Sequence, residues 1–165
     1  MSALSSLHQP DIFLIQETKM EEDAFLQVSK FFCKYKGKAA VSSRGASGGI
    51  GTMWNDKEYD AVDIKYNTHW VLTQLRQKAS NSLVSIFNIY APNPIAEKII
   101  SWNLLREEKS NLQGNIIIAG DLNVILSQEE KGGGSLVRDP IRSSWNGISW
   151  TLNLLLESIL GITKG

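Results

Sequence analysis

Between Lys38 and Tyr90 the chain runs through a succession of short stretches rich in β-branched and aromatic residues: Ala39 to Ser43, Gly48 to Trp54, Tyr59 to Tyr66, Trp70 to Arg76 and Leu83 to Tyr90. Such side chains suit a pleated, half-buried surface, and turn pairs such as Asn55-Asp56 and Asn81-Ser82 separate the runs. The spacing predicts a meander of antiparallel strands.

The flanking segments change period. Asp11 to Gln16, after Pro10, is a short bounded run of Ile, Phe and Leu that reads as a buried strand, and Glu21 to Phe32 follows with helical spacing at Phe25, Val28 and Phe32. Pro92 and Pro94 end the central sheet, and Ile95 to Leu112, with Ile99, Trp102, Leu105 and Leu112, reads as a crossing helix. Asn115 to Ala119 is another apolar strand, ending at Gly120-Asp121-Leu122-Asn123. Ser127 to Ser135 is expected to be a loop, and Trp145, Ile148, Leu152, Leu155 and Leu156 could line one face of a helix. With no internal repeat or low-complexity linker, the chain is expected to be one domain that stops early.

Composition removes several function classes. Lys plus Arg, at 17, balances Asp plus Glu, at 17, so no broad basic field exists to hold nucleic acid by counterion release, and any DNA contact must be local. Cys33 is the only cysteine, which excludes an internal disulfide and a cysteine metal cluster. No apolar run has the length of a membrane span, and Met1 to His8 lacks the pattern of a secretory leader, so the expected setting is intracellular, without a membrane partner.

Glu17 follows a buried strand directly, where rigid backbone meets solvent; a carboxylate so placed suits a hard cation, and taken singly it more often marks an ordinary solvated strand end. Asp121 and Asn123 follow a strand through Gly120, which permits a sharp turn or close backbone approach. On a still-extended backbone, a spacing of two puts both side chains on one side, where they could orient a water and bind a phosphate oxygen. An Asx turn is the structural alternative. Tyr90 closes its strand before Ala91-Pro92-Asn93, where its phenol is either a donor to a phosphate or a packing residue with a wet hydroxyl. His8 and His69 read as surface or turn residues, and Ser47 to Gly51 opens a strand instead of a helix, so it is no nucleotide-binding loop.

Pro10-Asp11-Ile12-Phe13-Leu14-Ile15-Gln16-Glu17-Thr18-Lys19, then Ser47-Gly48-Gly49-Ile50-Gly51 with Trp54, then Asn88-Ile89-Tyr90-Ala91-Pro92-Asn93, then Ile118-Ala119-Gly120-Asp121-Leu122-Asn123 form an ordered set. That set resembles the endonuclease/exonuclease/phosphatase superfamily. Leu126, Glu129-Glu130-Lys131-Gly132-Gly133 and Arg138-Asp139-Pro140 look like the plant LINE-type (non-LTR) retrotransposon branch, in which this domain precedes a reverse transcriptase. The resemblance implies an α/β fold, a partial four-layer α/β/β/α sandwich of the DNase I-like kind, in residues 1–140, with 141–165 a divergent helical tail. It implies Mg²⁺ or Mn²⁺ on Glu17, a water positioned by Asp121, a scissile phosphate bound by Asn123 and stabilised by Tyr90, and a DNA-backbone contact at Asn93. The implied product is a nick in DNA that primes reverse transcription, and the implied compartment is the nucleus.

The sequence also departs from that pattern. The family's opening strand with an active-site asparagine and its late strands with a Ser-Asp-His motif are expected to be missing; no histidine follows His69, and the only aspartate after Asp121 is Asp139. Members of a catalytic set act as a unit, so the chain alone is expected to hydrolyse DNA poorly or not at all. A missing paired strand leaves an open edge, from which marginal stability or self-association is expected. The competing expectations are a non-catalytic remnant with at most weak nucleic-acid contact, and a phosphoesterase of the same fold acting on small molecules.

Overall fold

The computed structural model describes residues 10–45 and 47–123. The expectations for His8, for the loop from Ser127 to Ser135, for the retroelement-like positions from Leu126 to Pro140, for Asp139 and for the tail 141–165 lie outside the described residues. The chain divides after Leu122 into two compact units, and the fold that follows is that of the first.

The expected strands are present: β1 Ile12–Gln16, β2 Gly37–Arg44, β3 Ser47–Trp54, β4 Tyr59–Asn67, β5 Trp70–Gln77, β6 Leu83–Tyr90 and β7 Asn115–Asp121. They do not make one meander. β1, β3 and β2 form an antiparallel sheet in that order, and β4, β5, β6 and β7 form a second sheet in which β7 joins β6 in parallel. The chain changes sheets at the Asn55 turn, where the Asn55 N–H donates to the Asp11 carbonyl at 2.8 Å and the Tyr59 N–H donates to the Asn55 carbonyl at 2.9 Å. Alternation of apolar and polar residues reports that a segment is a strand, and is the same whichever sheet the strand joins.

The sheets face each other through Ala39, Ile50 and Trp54 on one side and Val71, Leu75 and Ile86 on the other. Outside the first sheet lies α1, Glu22–Val28, whose Phe25 packs with Cys33, Ala40 and Met53. Outside the second, where Trp70, Leu72, Phe87 and Ile89 are buried, the β6-to-β7 crossover carries α2, Ile95–Ser110, with Trp102 and Leu105 buried. Lys65 Nζ on β4 meets Glu108 Oε2 of α2 at 2.6 Å. The layers are therefore α/β/β/α, as expected.

Both helices depart from their expected stripes. α1 ends at Val28 and a 3₁₀ turn, Ser29–Phe31, changes the period, so Phe25 is buried while Val28 is 39% exposed. In α2 the buried line is Lys98, Ser101, Trp102 and Leu105, and Ile99 stands 44% exposed. A lysine stem can cover apolar surface as well as an aliphatic residue does, which a hydrophobic count misses.

Candidate active site

The end of β1 is irregular in a way that aims Glu17. Gln16 is the last residue in register, opposite Ile50, and the ladder resumes with Thr18 N–H to the Gly49 carbonyl at 3.2 Å and Lys19 N–H to the Gly48 carbonyl at 3.0 Å. Glu17 is thus one extra residue in the strand, at φ 50°. A left-handed conformation costs a non-glycine residue about 1 kcal/mol or more, and it turns the carboxylate out of the pleat. Opposite it, Gly49 has φ 86°, and a Cβ there would lie 2.2 Å from Thr18 Oγ1. The Ser47-to-Gly51 run is the start of β3, as expected, and its glycines admit this close passage.

At the end of β6, the Tyr90 hydroxyl donates to Glu17 Oε1 at 2.6 Å, across the two sheets. That hydrogen bond, then burial, then the negative charges of Glu17 and Asp121 push the Tyr90 phenol up to about 12, so it is a proton donor throughout the neutral range.

Asp121 stands beside Tyr90 in the parallel register of β6 and β7, and the Ala91 N–H donates to its carbonyl at 2.8 Å. Residues in register point to the same face, so carboxylate and phenol share one side of the sheet. Gly120 does not make the expected turn; the strand runs through it to Asp121. The close backbone approach expected at Gly120 is present, since a Cβ at φ 129° would lie 2.1 Å from the Ile89 carbonyl. Asn123 has φ 48°, so the extended backbone expected to bring Asp121 and Asn123 to one side is not kept; Asn123 opens the second compact unit. Glu17, Tyr90 and Asp121 are thus brought together.

Beyond Tyr90 lies a cleft of about 280 Å³ whose walls include Arg44, Gly48, His69, Asn93 and Glu97. Asn93 lies here, as its position after the Tyr90 strand suggests. His69 is in the β4–β5 turn, as expected of a turn residue, but that turn sits at the strand end: the Tyr90 N–H donates to the His69 carbonyl at 2.9 Å. Burial lowers the imidazole's pKa, opposed by the charge of Glu97 and a hydrogen bond to the Tyr90 backbone, and Arg44 lowers it further. Arg44 Nη2 donates to Thr68 Oγ1 at 2.9 Å. Arg44, His69 and Glu97 were not legible as site residues, although pairing Trp70 with Ile89 in a hairpin puts His69 opposite Tyr90.

Among the described residues no group of three or more His, Cys, Asp or Glu side chains could hold a metal ion. The donors that do converge are the exposed carboxylates of Glu17 and Asp121. An all-oxygen pair suits Mg²⁺ or Mn²⁺, which retain several waters and take one or two carboxylates together with substrate phosphate.

A family model described as Endonuclease/Exonuclease/phosphatase family matches residues 2–149. No curated protein sequence matches the chain. Among solved structures it is similar to the AP endonuclease LMAP of Leishmania major, with 20% identity over 81% of this chain and 52% of that one and a TM-score of 0.58. The Xenopus laevis APE2 catalytic domain gives 19% identity, 74% and 52% coverage and a TM-score of 0.57. D. rerio TDP2 complexed with single strand DNA product gives 16%, 74%, 52% and 0.54. The chain spans about half the length of these structures.

Proposed function

Since the chain belongs to the Endonuclease/Exonuclease/phosphatase family, we propose that it is the part of a metal-dependent, DNA-nicking phosphodiesterase that carries Glu17, Tyr90 and Asp121. The observation that carries this reading is the 2.6 Å hydrogen bond from the Tyr90 hydroxyl to Glu17, with Asp121 in register beside Tyr90. A donor and two carboxylates from three strand ends suit a tetrahedral, doubly ligated phosphate better than they suit any apolar ligand. Structural neighbours that include an AP endonuclease and a TDP2 complexed with a single strand DNA product support the substrate class.

In this reading Glu17 holds Mg²⁺ or Mn²⁺, which when bound supplies a Lewis acid for in-line attack at phosphorus. Asp121 orients the attacking water and accepts its proton as the P–O bond to the leaving ester oxygen breaks, and that oxygen takes a proton from solvent. Tyr90, held protonated, donates to a non-bridging phosphate oxygen, and the family resemblance would give Asn123 a phosphate contact. Asn93 contacts the DNA backbone from the cleft, where Arg44 offers a cation. The origin we infer, a plant LINE-type element with a reverse transcriptase partner and a nuclear site of action, rests on the resemblance at Leu126, at Glu129 to Gly133 and at Arg138 to Pro140.

Residues 124–165 contain no histidine, so none from that segment can assist the reaction, and we infer a slow rate for this chain alone. The test is supercoiled-plasmid nicking under enzyme excess with Mg²⁺ or Mn²⁺, alongside Mn²⁺ binding measured by water-proton relaxation. The expected result is weak metal-dependent nicking lost in Glu17→Ala and Asp121→Ala, with Mn²⁺ binding weakened in Glu17→Ala. Nicking that survives both substitutions, or Mn²⁺ binding indifferent to Glu17, would overturn the assignment. A chain that binds Mn²⁺ through Glu17 yet nicks nothing would be the non-catalytic remnant. A reverse transcriptase frame downstream of the coding region would support the retroelement origin, and an unrelated frame there would count against it.

A further inference from the structure

Glu17 and Tyr90 belong to different sheets, so the distance between them depends on how the sheets are offset. Most of the inter-sheet contact is apolar, and apolar contact is non-directional: it holds the layers together without fixing a fraction of an ångström of slip. A buried polar group interrupts that pattern and bonds to both other strands near the site. Asn88, on β6 and fully buried, accepts a hydrogen bond on Oδ1 from Gln16 Nε2 at the end of β1. Its Nδ2 donates to the Gly51 carbonyl at 2.9 Å and to Thr52 Oγ1 at 3.1 Å, both on β3. A single amide therefore binds two strands of the opposite sheet.

Its position follows from the strand period. On β6, Ile86, Asn88 and Tyr90 face the other sheet; on β1, Ile12, Leu14 and Gln16 do; on β3, Ile50, Thr52 and Trp54. Each inward face has one polar residue in an otherwise apolar row, and the three meet. They meet one residue before Glu17 and two before Tyr90, between the apolar interior and the candidate site.

We propose that Asn88, bonded to Gln16 and Thr52, is a positioning residue that sets the offset of the two sheets and thereby holds the Tyr90 hydroxyl against Glu17. It touches neither metal nor substrate. The inference deepens the reading above in that the atoms it positions are those assigned to metal and phosphate. A slip of about 1 Å at such a constellation is enough to cost on the order of 10²-fold in rate.

The test uses the full chain labelled with ¹³C at the tyrosine ζ carbon. NMR follows the exchange of the Tyr90 hydroxyl proton, assigned by its disappearance in Tyr90→Phe. The substitutions are Asn88→Ala, the near-isosteric Gln16→Met and Thr52→Val, and Leu72→Ala, a core variant on the other face of the second sheet. Asn88→Ala and Gln16→Met should give fast hydroxyl exchange and at least tenfold slower nicking, and Thr52→Val a smaller effect of the same sign. Leu72→Ala should lower the Tm and leave the hydroxyl signal in place. Gln16 is only half-buried, so Gln16→Met decides the matter should Asn88→Ala fail to fold. A folded Gln16→Met or Asn88→Ala with wild-type hydroxyl exchange would overturn the proposal, as would exchange that follows Tm across all variants. Fast exchange in these variants without any Glu17-dependent nicking would leave the positioning role standing and remove the hydrolase reading. Glu17-dependent nicking indifferent to Gln16 and Asn88 would do the reverse.

Discussion

Two regions meet at Tyr90 and are built by different means. On one side, Glu17, Tyr90 and Asp121 sit on strand ends, each fixed by backbone pairing: a one-residue irregularity in β1, the last residue of β6, and a parallel register with β7. On the other, the cleft draws Arg44 from the end of β2, His69 from the β4–β5 turn, Asn93 from the approach to α2 and Glu97 from the first turn of that helix. Strand ends inherit the rigidity of the sandwich, whereas the turn that carries His69 holds its place through a few local hydrogen bonds, such as His69 N–H to Asn67 Oδ1 at 3.0 Å and Arg44 to Thr68. The difference assigns reaction steps to the first region and binding to the second.

The sharpest way to break that division is to remove a carboxylate from each of two strand ends. Glu17→Gln and Asp121→Asn keep shape and hydrogen-bonding capacity while removing charge, and each is expected to reduce nicking by roughly 10³-fold or more, acting on kcat and hardly on the DNA concentration required. Single-turnover nicking at saturating DNA measures it. A loss recovered by raising DNA concentration would move the residue concerned into the binding class.

Tyr90 stands at the boundary, and its substitution sharpens the comparison. Tyr90→Phe removes the donor and leaves the ring, with an expected loss on the order of 10²-fold in kcat, the usual effect of deleting one transition-state hydrogen bond. The sign of the pH effect follows from the raised pKa. The folded phenol titrates near 12, above its ordinary value of 10.0, so its contribution to stability is fully present below the ordinary value and lost as pH rises through 12. Alkaline unfolding of Tyr90→Phe should therefore lack the part of the decline that the native chain shows across that window.

How much of this was readable in advance divides along the same line. Glu17, Tyr90 and Asp121 each follow a run of apolar residues that announces a strand, and strand ends deliver side chains to a site in a way period-two patterning captures. His69 has no such signature, because a turn's composition reports that the chain reverses and not what it reverses beside, and Arg44 ends β2 after two serines instead of an apolar run. The sheet assignment of β2 to β6 was hidden for a related reason: alternation is identical in one meander and in two facing sheets. Gln16, Thr52 and Asn88 occupy inward-facing strand positions, but their meeting depends on the sheet offset, which is a tertiary fact. Asn123 shows the limit of local spacing, since one left-handed residue cancels an argument from extended backbone.

A smaller effect is expected from the cleft. Arg44→Ala and Asn93→Ala should raise the DNA concentration needed for half-maximal nicking several-fold with kcat unchanged, the signature of binding lost equally from ground and transition states. Arg44→Ala should also reduce the slope of log affinity against log salt by about 1, as for a single phosphate contact. Asn93, being uncharged, should leave that slope alone. Equal slopes in the native chain and Arg44→Ala would remove the guanidinium from the DNA path.

The smallest effect separates structure from function in the cleft itself. Burial holds the His69 imidazole below its ordinary value of 6.5, so in the window between the lowered value and 6.5 the unfolded chain binds more protons than the folded one. Stability linked to His69 is then fully present above about pH 6.5 and is lost as pH falls through the lowered value. In His69→Gln, the decline of Tm from about pH 7.5 to about pH 5 should be shallower than in the native chain, while His8 contributes equally to both and cancels in the difference. Differential scanning fluorimetry in matched buffers resolves it. Parallel pH profiles would mean that the imidazole is as well solvated in the fold as out of it, and the cleft wall at His69 would then be open to water; a steeper decline in His69→Gln would reverse the sign and require that the nearby Glu97 charge outweigh burial.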